Sequence, residues 1–259
     1  MIDLQSVVRT YGAHVAVNEL SLSVPAGELF AFLGPNGAGK TTTIKMLVGL
    51  LQPTSGSVRI CGHDVVAEPR QASRHVGFVP DEPHLYDKLS GREFLQFVAN
   101  LHGLAAEDAE RQIAKQIDRF ELKGFVDQLA ESYSHGMKQR LIFGASLLHR
   151  PKVLILDEPM VGLDPRSMRR VKDILREESA GGTTIFMSTH TLPLAEEIAT
   201  RIGVVSRGQL RFVGTVKELR EKMERHDSSL EELFLSLTEG TDEPPPQYAS
   251  PKSEPLFGE

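Results

Sequence analysis

The sequence predicts an α/β fold built on a mostly parallel sheet covered on both faces. Three observations carry that expectation. Residues 28–33 form a short, mostly apolar run that enters a glycine loop and then a helical pattern over 39–51. A stretch from about 84 to 150 shows helical periodicity and no clear strand. From Val153 onward, strand and helix patterns alternate again. Alternation of this kind connects parallel strands through helices packed on the sheet faces.

Taken in order, residues 15–24 alternate roughly between apolar and polar and read as a strand. The run 28–33 stops at Gly34, as a buried strand entering a loop does. The helix over 39–51 aligns Ile44, Leu47, Val48 and Leu51 on one face. Residues 76–79 read as a further short strand. Ser90 and Glu93 form a capping-box pattern ahead of Phe94, Phe97, Val98 and Leu101. A second helix is expected near 107–120 with Ile113 and Ile117 inward. A third is expected from about Gly136, carrying Leu141, Ala145 and Leu148. Together these three make an inserted helical lobe.

Residues 153–156 form an apolar strand. Asp164 before Pro165 marks a helix start, with Met168, Val171, Ile174 and Leu175 along one stripe. A strand over 183–188 and a short helix over 192–199 follow. Segments 202–206 and 209–213 flank Arg207 and Gly208, a hairpin turn. Beyond Leu237 the chain is polar, with prolines at 244, 245, 246, 251 and 255. Such a segment buries too little apolar surface to offset its conformational entropy, so a disordered tail is expected over 238–259. The domain itself is read as 1–237, with the helical lobe inserted at about 84–150.

Apolar residues make up 40% and charged residues 25% of the 259 positions, the balance of a water-soluble globular chain. The formal net charge of −6 argues against a nucleic-acid partner, because phosphate backbones select basic faces. Cys61 is the single cysteine, so no intrachain disulfide forms, which fits a reducing compartment. Beside Gly62 it reads as a small apolar filler. No apolar run approaches the ~18–20 residues of a membrane-spanning helix, and residues 1–9 lack the pattern of a signal peptide. A cytoplasmic location is expected, with any membrane-spanning part supplied by another polypeptide. The nine histidines show no metal-ligand spacing with Cys61, so no zinc site is expected.

The segment Gly34-Pro35-Asn36-Gly37-Ala38-Gly39-Lys40-Thr41 matches G-x-x-x-x-G-K-[ST] at every fixed position. Its glycines permit positive φ and let backbone N–H groups curl around a phosphate. The helix that starts near Gly39 aims its positive end at the same place. Lys40 is suited to neutralise β- and γ-phosphates, the Thr41 hydroxyl to ligate Mg²⁺, and Thr42 to donate to a further phosphate. The motif by itself indicates a phosphate-bearing nucleotide and leaves ATPase, GTPase and kinase open.

Val153-Leu154-Ile155-Leu156-Asp157-Glu158 is an apolar strand that ends in two acids. Asp157 is placed to hold a Mg²⁺ shell and Glu158 to act as general base on a water. Standing alone, the pair also admits a less favoured reading as a helix N-cap beside a surface glutamate; the glycine loop upstream favours the site. Tyr133-Ser134-His135-Gly136-Met137-Lys138-Gln139-Arg140 precedes this strand. Unaided, it reads as an N-capped helix.

With these residues in view, the segment resembles the signature sequence of the ABC ATPase superfamily, usually written LSGGQ. The resemblance implies a helix N-terminus that contacts the γ-phosphate held by the opposite subunit, through Ser134 and the Gly136 N–H. Further segments agree in the family's order. Gly162-Leu163-Asp164 resembles its D-loop, which couples the two ATP sites. Ser188-Thr189-His190 resembles its switch histidine segment, which gives His190 a role in orienting the water. Tyr11, ahead of Gly12, resembles the aromatic residue that stacks on adenine. The similarity spans about 1–237. It implies a P-loop NTPase (RecA-like) core with an N-terminal antiparallel β subdomain and the inserted α-helical subdomain.

Two departures stand out. Asp81 occupies the position where most members have glutamine, and an aspartate there adds charge near the phosphates while still reaching Mg²⁺ or water. His135, with Tyr133 and Met137, replaces signature residues, so the backbone contacts carry over but the side-chain contacts do not. Such variants resemble members that pair with ABC-2-type exporter membrane subunits. The implied cofactors are ATP and Mg²⁺. The implied partners are an integral membrane permease on a separate chain and a second ATPase subunit, identical or not, with the protein peripheral on the inner face of the cell membrane. Two other readings of the same residues exist. A non-transport ABC-type ATPase acting on DNA or ribosomes usually carries long coiled-coil inserts or two motors, and neither is present. A P-loop kinase or GTPase acting on a small molecule lacks a reason to carry the 133–140 segment or His190.

Overall fold

The structure, a computed structural model, describes residues 1–224; the expected tail over 238–259 and the expected domain end at 237 lie outside the described residues. Two sheets organise it. A four-stranded antiparallel sheet, in the order β2-β1-β4-β5, comprises β1 (Ile2–Tyr11), β2 (His14–Val24), β4 (Ser55–Ile60) and β5 (His63–Asp64). A six-stranded sheet, in the order β10-β9-β3-β8-β7-β6, comprises β3 (Leu29–Leu33), β6 (Val76–Val79), β7 (Val153–Asp157), β8 (Thr184–Thr189), β9 (Arg201–Ser206) and β10 (Gln209–Thr215). Five of its strands run parallel, and β10 closes one edge as an antiparallel hairpin with β9.

The central strands β3, β7 and β8 are buried along their whole length, which is why they read as unbroken apolar runs. Alternate side chains serve two cores. Leu29, Ala31, Leu33, Leu154, Leu156, Ile185 and Met187 face one cluster, with the helical lobe and the helices α6 (Pro165–Ala180) and α7 (Leu192–Ile198). Phe30, Phe32, Ile155 and Phe186 face the other, with the antiparallel sheet and α1 (Lys40–Leu47). Helix α1 is thus clamped between the sheets by Ile44, Met46 and Leu47.

Between β5 and β6 lies the short α2 (Pro69–Ser73). The lobe then consists of α3 (Gly91–Leu101), α4 (Ala106–Arg119) and α5 (His135–Ser146), and α8 (Val216–Glu224) follows β10. The Ser90–Glu93 capping box forms with both reciprocal bonds. Ile113 and Ile117 point inward as the periodicity requires.

The structure corrects three local expectations. The helix read over 39–51 ends at Leu47, because Val48 leaves the helix and Gly49 adopts φ 75°. Leu148 is buried but lies beyond the end of α5. Cys61 packs against the apolar cluster, but it sits in the β4–β5 turn at φ 52°, so the turn dictates its position as much as its size does. Strand β1 was not individually legible. Register shifts along its pairing with β2, and Ser6 at φ 45°, break the period-two pattern.

Candidate functional site

Because β3, β6, β7, β8 and β9 are parallel, their carboxyl ends open on the same edge of the sheet. Ligands of open α/β sheets bind at that edge, beside a strand-order switch. The loop after β3, the segment after β6, Asp157 at the end of β7 with Glu158 just beyond it, and His190 after β8 all meet there.

The loop 34–42 takes its shape from close packing. A Cβ on Gly34 would lie 2.4 Å from the Val205 carbonyl oxygen, and one on Gly39 would lie 2.5 Å from that of Ala16. Gly39 also holds φ 101° and caps α1 with no side-chain hydrogen bond. The first N–H groups of α1 are therefore left without a side-chain acceptor, and no acid stands in that first turn. Lys40 is 6% exposed. Its Nζ donates to Gly34 O at 2.7 Å and Pro35 O at 3.2 Å, and lies 3.6 Å from Glu158 Oε1. Ala38 turns inward: its methyl is buried and its N–H donates to Pro35 O. It shapes the loop rather than lining the cleft.

A cleft of about 350 Å³ is bounded by Tyr11, Pro35, Asn36, Gly37, Gly39, Lys40, Thr41, Thr42, Asp81 and Glu158, together with His14 and Ala16. Tyr11 is exposed at its rim, with the Arg9 guanidinium 4.7 Å from the ring centre. His14 and Ala16, from the start of β2, were not anticipated; nothing in their local pattern marks them.

The acids are arranged around one hydroxyl. Asp157 is 2% exposed, and Ser188 Oγ donates to its Oδ1 at 2.5 Å. The same Oγ accepts the Glu158 N–H at 3.0 Å. Burial pushes the Asp157 carboxyl above its usual range; hydrogen bonds from Ser188 and Thr41 oppose this, while the nearby charges of Asp81 and Glu158 add to it. Asp81 Oδ1 accepts the Glu82 N–H at 2.9 Å, which holds its carboxylate on the cleft. Glu158 adopts φ 45°, a left-handed conformation costing about 1 kcal/mol for a residue with a Cβ. That twist ends the strand and sets the carboxylate between Lys40 and His190, whose Nδ1 lies 3.0 Å from Glu158 Oε2. The sequence reading named Ser188 only as part of a segment; its bridging of both acids was missed, although a serine closing an apolar strand is a signal.

Ser134 and Gly136 do not line this cleft. Ser134 is exposed and caps α5 by accepting the Met137 N–H at 3.3 Å. Gly136 faces the loop after Glu158, where a Cβ would meet Gly162 O at 3.0 Å. A Cβ on Gly162 would in turn fall on the His135 ring. Gln139, fully buried and also missed, donates to Pro159 O at 3.3 Å and ties α5 to the same loop.

The donor set fits Mg²⁺. Thr41, Asp157 and Asp81 offer hard oxygen ligands, and three carboxylates converge near a single buried lysine. Among the described residues no three side chains close on a metal by themselves. A cation that keeps waters and takes phosphate oxygens needs only one or two of them.

Comparison with known proteins agrees with this geometry. Residues 17–161 match the family model described as ABC transporter. The daunorubicin/doxorubicin resistance ATP-binding protein DrrA of Streptomyces peucetius is 40% identical over 222 residues, covering 86% of this chain and 67% of that protein. The Nod factor export ATP-binding protein I of Burkholderia orbicola (strain AU 1054) is 39% identical over 208 residues, covering 80% and 68%. A solved structure of an ATP-binding subunit of an ABC transporter superposes with a TM-score of 0.85 at 30% identity, covering 92% of this chain and 99% of that one.

Proposed function

The chain belongs to the ABC transporter family as one of its ATP-binding proteins, and from that premise we propose how its residues hydrolyse ATP and what the hydrolysis drives. It is the ATPase subunit of an ABC exporter. The observation that carries the mechanism is the Glu158 carboxylate, held between Lys40 and His190 at the mouth of the glycine loop.

ATP binds with its phosphates against the N–H groups of the loop 34–42 and Lys40, and with adenine on Tyr11. Thr41 and Asp157, with Asp81 beside them, would hold Mg²⁺, which would supply positive charge against the phosphate oxygens. Glu158 accepts a proton from the attacking water as the water oxygen bonds to the γ-phosphorus and the bond to the β-phosphate oxygen breaks. His190 orients Glu158 through the Nδ1 hydrogen bond and presents its exposed ring edge to the γ-phosphate. Ser188 keeps Asp157 and Glu158 in register.

Ser134 and the Gly136 N–H lie outside the cleft of their own chain, which supports their acting on the nucleotide of a second copy. ABC ATPase subunits pair with one another and work with membrane subunits. Here no helix among the described residues is long and apolar enough to cross a membrane. Exposed Tyr86, Phe97 and Leu101 form an apolar patch on the lobe beside the segment 81–90, with Tyr86 edge-on to Phe97 at 5.6 Å. The patch supports docking of the membrane subunit there, on the inner face of the membrane. The relatives are named for daunorubicin/doxorubicin resistance and for Nod factor export, so an organic cargo moving outward is the reading they support.

The test is phosphate release by the purified chain with ATP and Mg²⁺ and no acceptor, alongside affinity capture from detergent-solubilised membranes. Acceptor-independent release and co-capture of a polytopic membrane protein are expected. Turnover only with an added acceptor, or with GTP in preference to ATP, would overturn the reading.

A further inference from the structure

Tyr133 stands where the family's signature segment usually has leucine, and its hydroxyl does what leucine cannot. The side chain is only 6% exposed. Its Oη accepts the Gly91 N–H at 3.0 Å. It donates its single proton to a pair of carbonyls, Phe125 O at 2.8 Å and Gln128 O at 3.0 Å. The ring stands edge-on to Phe125, centroids 5.0 Å apart. A buried hydroxyl is tolerated only when paired, and this one is fully paired. The partner position is equally constrained, since a Cβ on Gly91 would lie 2.6 Å from the hydroxyl.

These contacts join two functional segments. Gly91 is the first residue of α3 and directly follows the segment 81–90, which runs from Asp81 on the ATP cleft past Tyr86 on the apolar patch. Tyr133 directly precedes Ser134, the cap of α5. The same seam is laced by Ala130 N–H to Leu89 O at 2.9 Å, Glu131 N–H to Asp87 O at 3.2 Å, and the Lys88–Glu131 ion pair. Of these, the Tyr133 hydroxyl is the buried link, shielded from water, and it is adjacent in sequence to the serine it would move.

We propose that Tyr133 is a positioning residue: its hydroxyl fixes the Ser134 turn to the start of α3, so that displacement of the segment 81–90 moves the face offered to the nucleotide of a second copy. The proposal rests on the reading of Ser134 as a contact made across the pair.

The experiment uses the Glu158→Gln chain, in which ATP is held without turnover, with and without Tyr133→Phe. ATP affinity is read at concentrations where the chain is monomeric, and ATP-driven pairing by sedimentation, both far below the melting temperature. The phenylalanine variant should bind ATP within about twofold of its parent while its dimer dissociation constant rises up to about tenfold, the ceiling being the worth of one buried hydrogen bond if all of it goes into orienting the turn. Gly91→Ala, which displaces the hydroxyl without removing it, should give a similar loss of pairing. Added to Tyr133→Phe it should cost less than it does alone, because the hydroxyl 2.6 Å from its Cβ is gone and only the closer-than-usual contacts with Val126 O at 3.1 Å and Leu141 at 3.3 Å remain. A merely structural tyrosine would lower the melting temperature and leave pairing intact, and that result overturns the proposal. Failure of the Glu158→Gln parent itself to pair with ATP would instead overturn the cross-chain reading, and the proposal with it.

Discussion

The glycine loop and the signature turn each end in a helix N-terminus, the two places proposed for phosphate, yet they are built in opposite ways. The loop 34–42 lies between two packed sheets, and its charged groups satisfy one another: Lys40 with two carbonyls and Glu158, Asp157 with Ser188 and Thr41, Glu158 with His190. The turn at 134–136 is exposed, with Ser134 capping its own helix, and it lies away from the cleft. Its accuracy comes from behind, through Tyr133 and Gln139. The contrast is between a loop preorganised by burial and an exposed turn that is held in place by the lobe that carries it.

The largest effect should come from the buried half. Glu158→Gln keeps the shape but removes the base, so phosphate release should fall roughly 10²–10⁴-fold while ATP binding persists. Normal turnover in that variant would break the assignment of the base. Lys40→Ala removes the buried charge at the mouth of the proposed phosphate site. ATP affinity, measured by titration calorimetry, should weaken roughly 10²-fold. Ser134→Ala sharpens the comparison from the other side. It should leave monomer ATP affinity unchanged, lower turnover about tenfold, and cost about 1 kcal/mol of stability through the lost cap. A change in monomer affinity would place Ser134 in its own chain's cleft.

A further effect, on stability and not on activity, lies at neither half-site but where the lobe meets the core. The His149 ring stacks on His102 with centroids 3.7 Å apart and planes 6° apart. Its Nε2 is 3.1 Å from Val76 O, and its Nδ1 is buried with no partner. Burial, with the charge of His102, lowers the His149 pKa to about 4. Because the unfolded chain takes up this proton near pH 6.5, stability is complete above that value and is lost as pH falls toward about 4. The loss should reach about 2–3 kcal/mol, and it should be absent from the difference in urea midpoints across that range in His149→Phe.

Much of this was legible in order along the chain. The glycine loop and the acids of β7 are contiguous, and their spacing carries their chemistry. The Ser90–Glu93 and Asp164–Pro165 helix starts depend on neighbours within a few residues, and both formed as read. Less legible was whatever depends on bulges or distance. Register shifts obscured β1, and the early end of α1 turned on the conformation of Gly49. The bridging hydroxyl of Ser188 is 31 positions from Asp157, and the Tyr133 hydroxyl is 42 from the Gly91 N–H.

The sequence by itself determined a phosphate-binding loop, the alternation of strands and helices around an inserted helical lobe, and the candidate base, because each rests on local pattern: a glycine spacing, an apolar period, a strand that ends in two acids. Only the tertiary structure decided that Glu158 sits between Lys40 and His190, that Ser188 holds both acids, and that Ser134 lies outside its own chain's cleft. Those facts follow from parallel strands ending on one edge and from a lobe packed beside it, and long-range packing of that kind leaves no periodic trace in the chain.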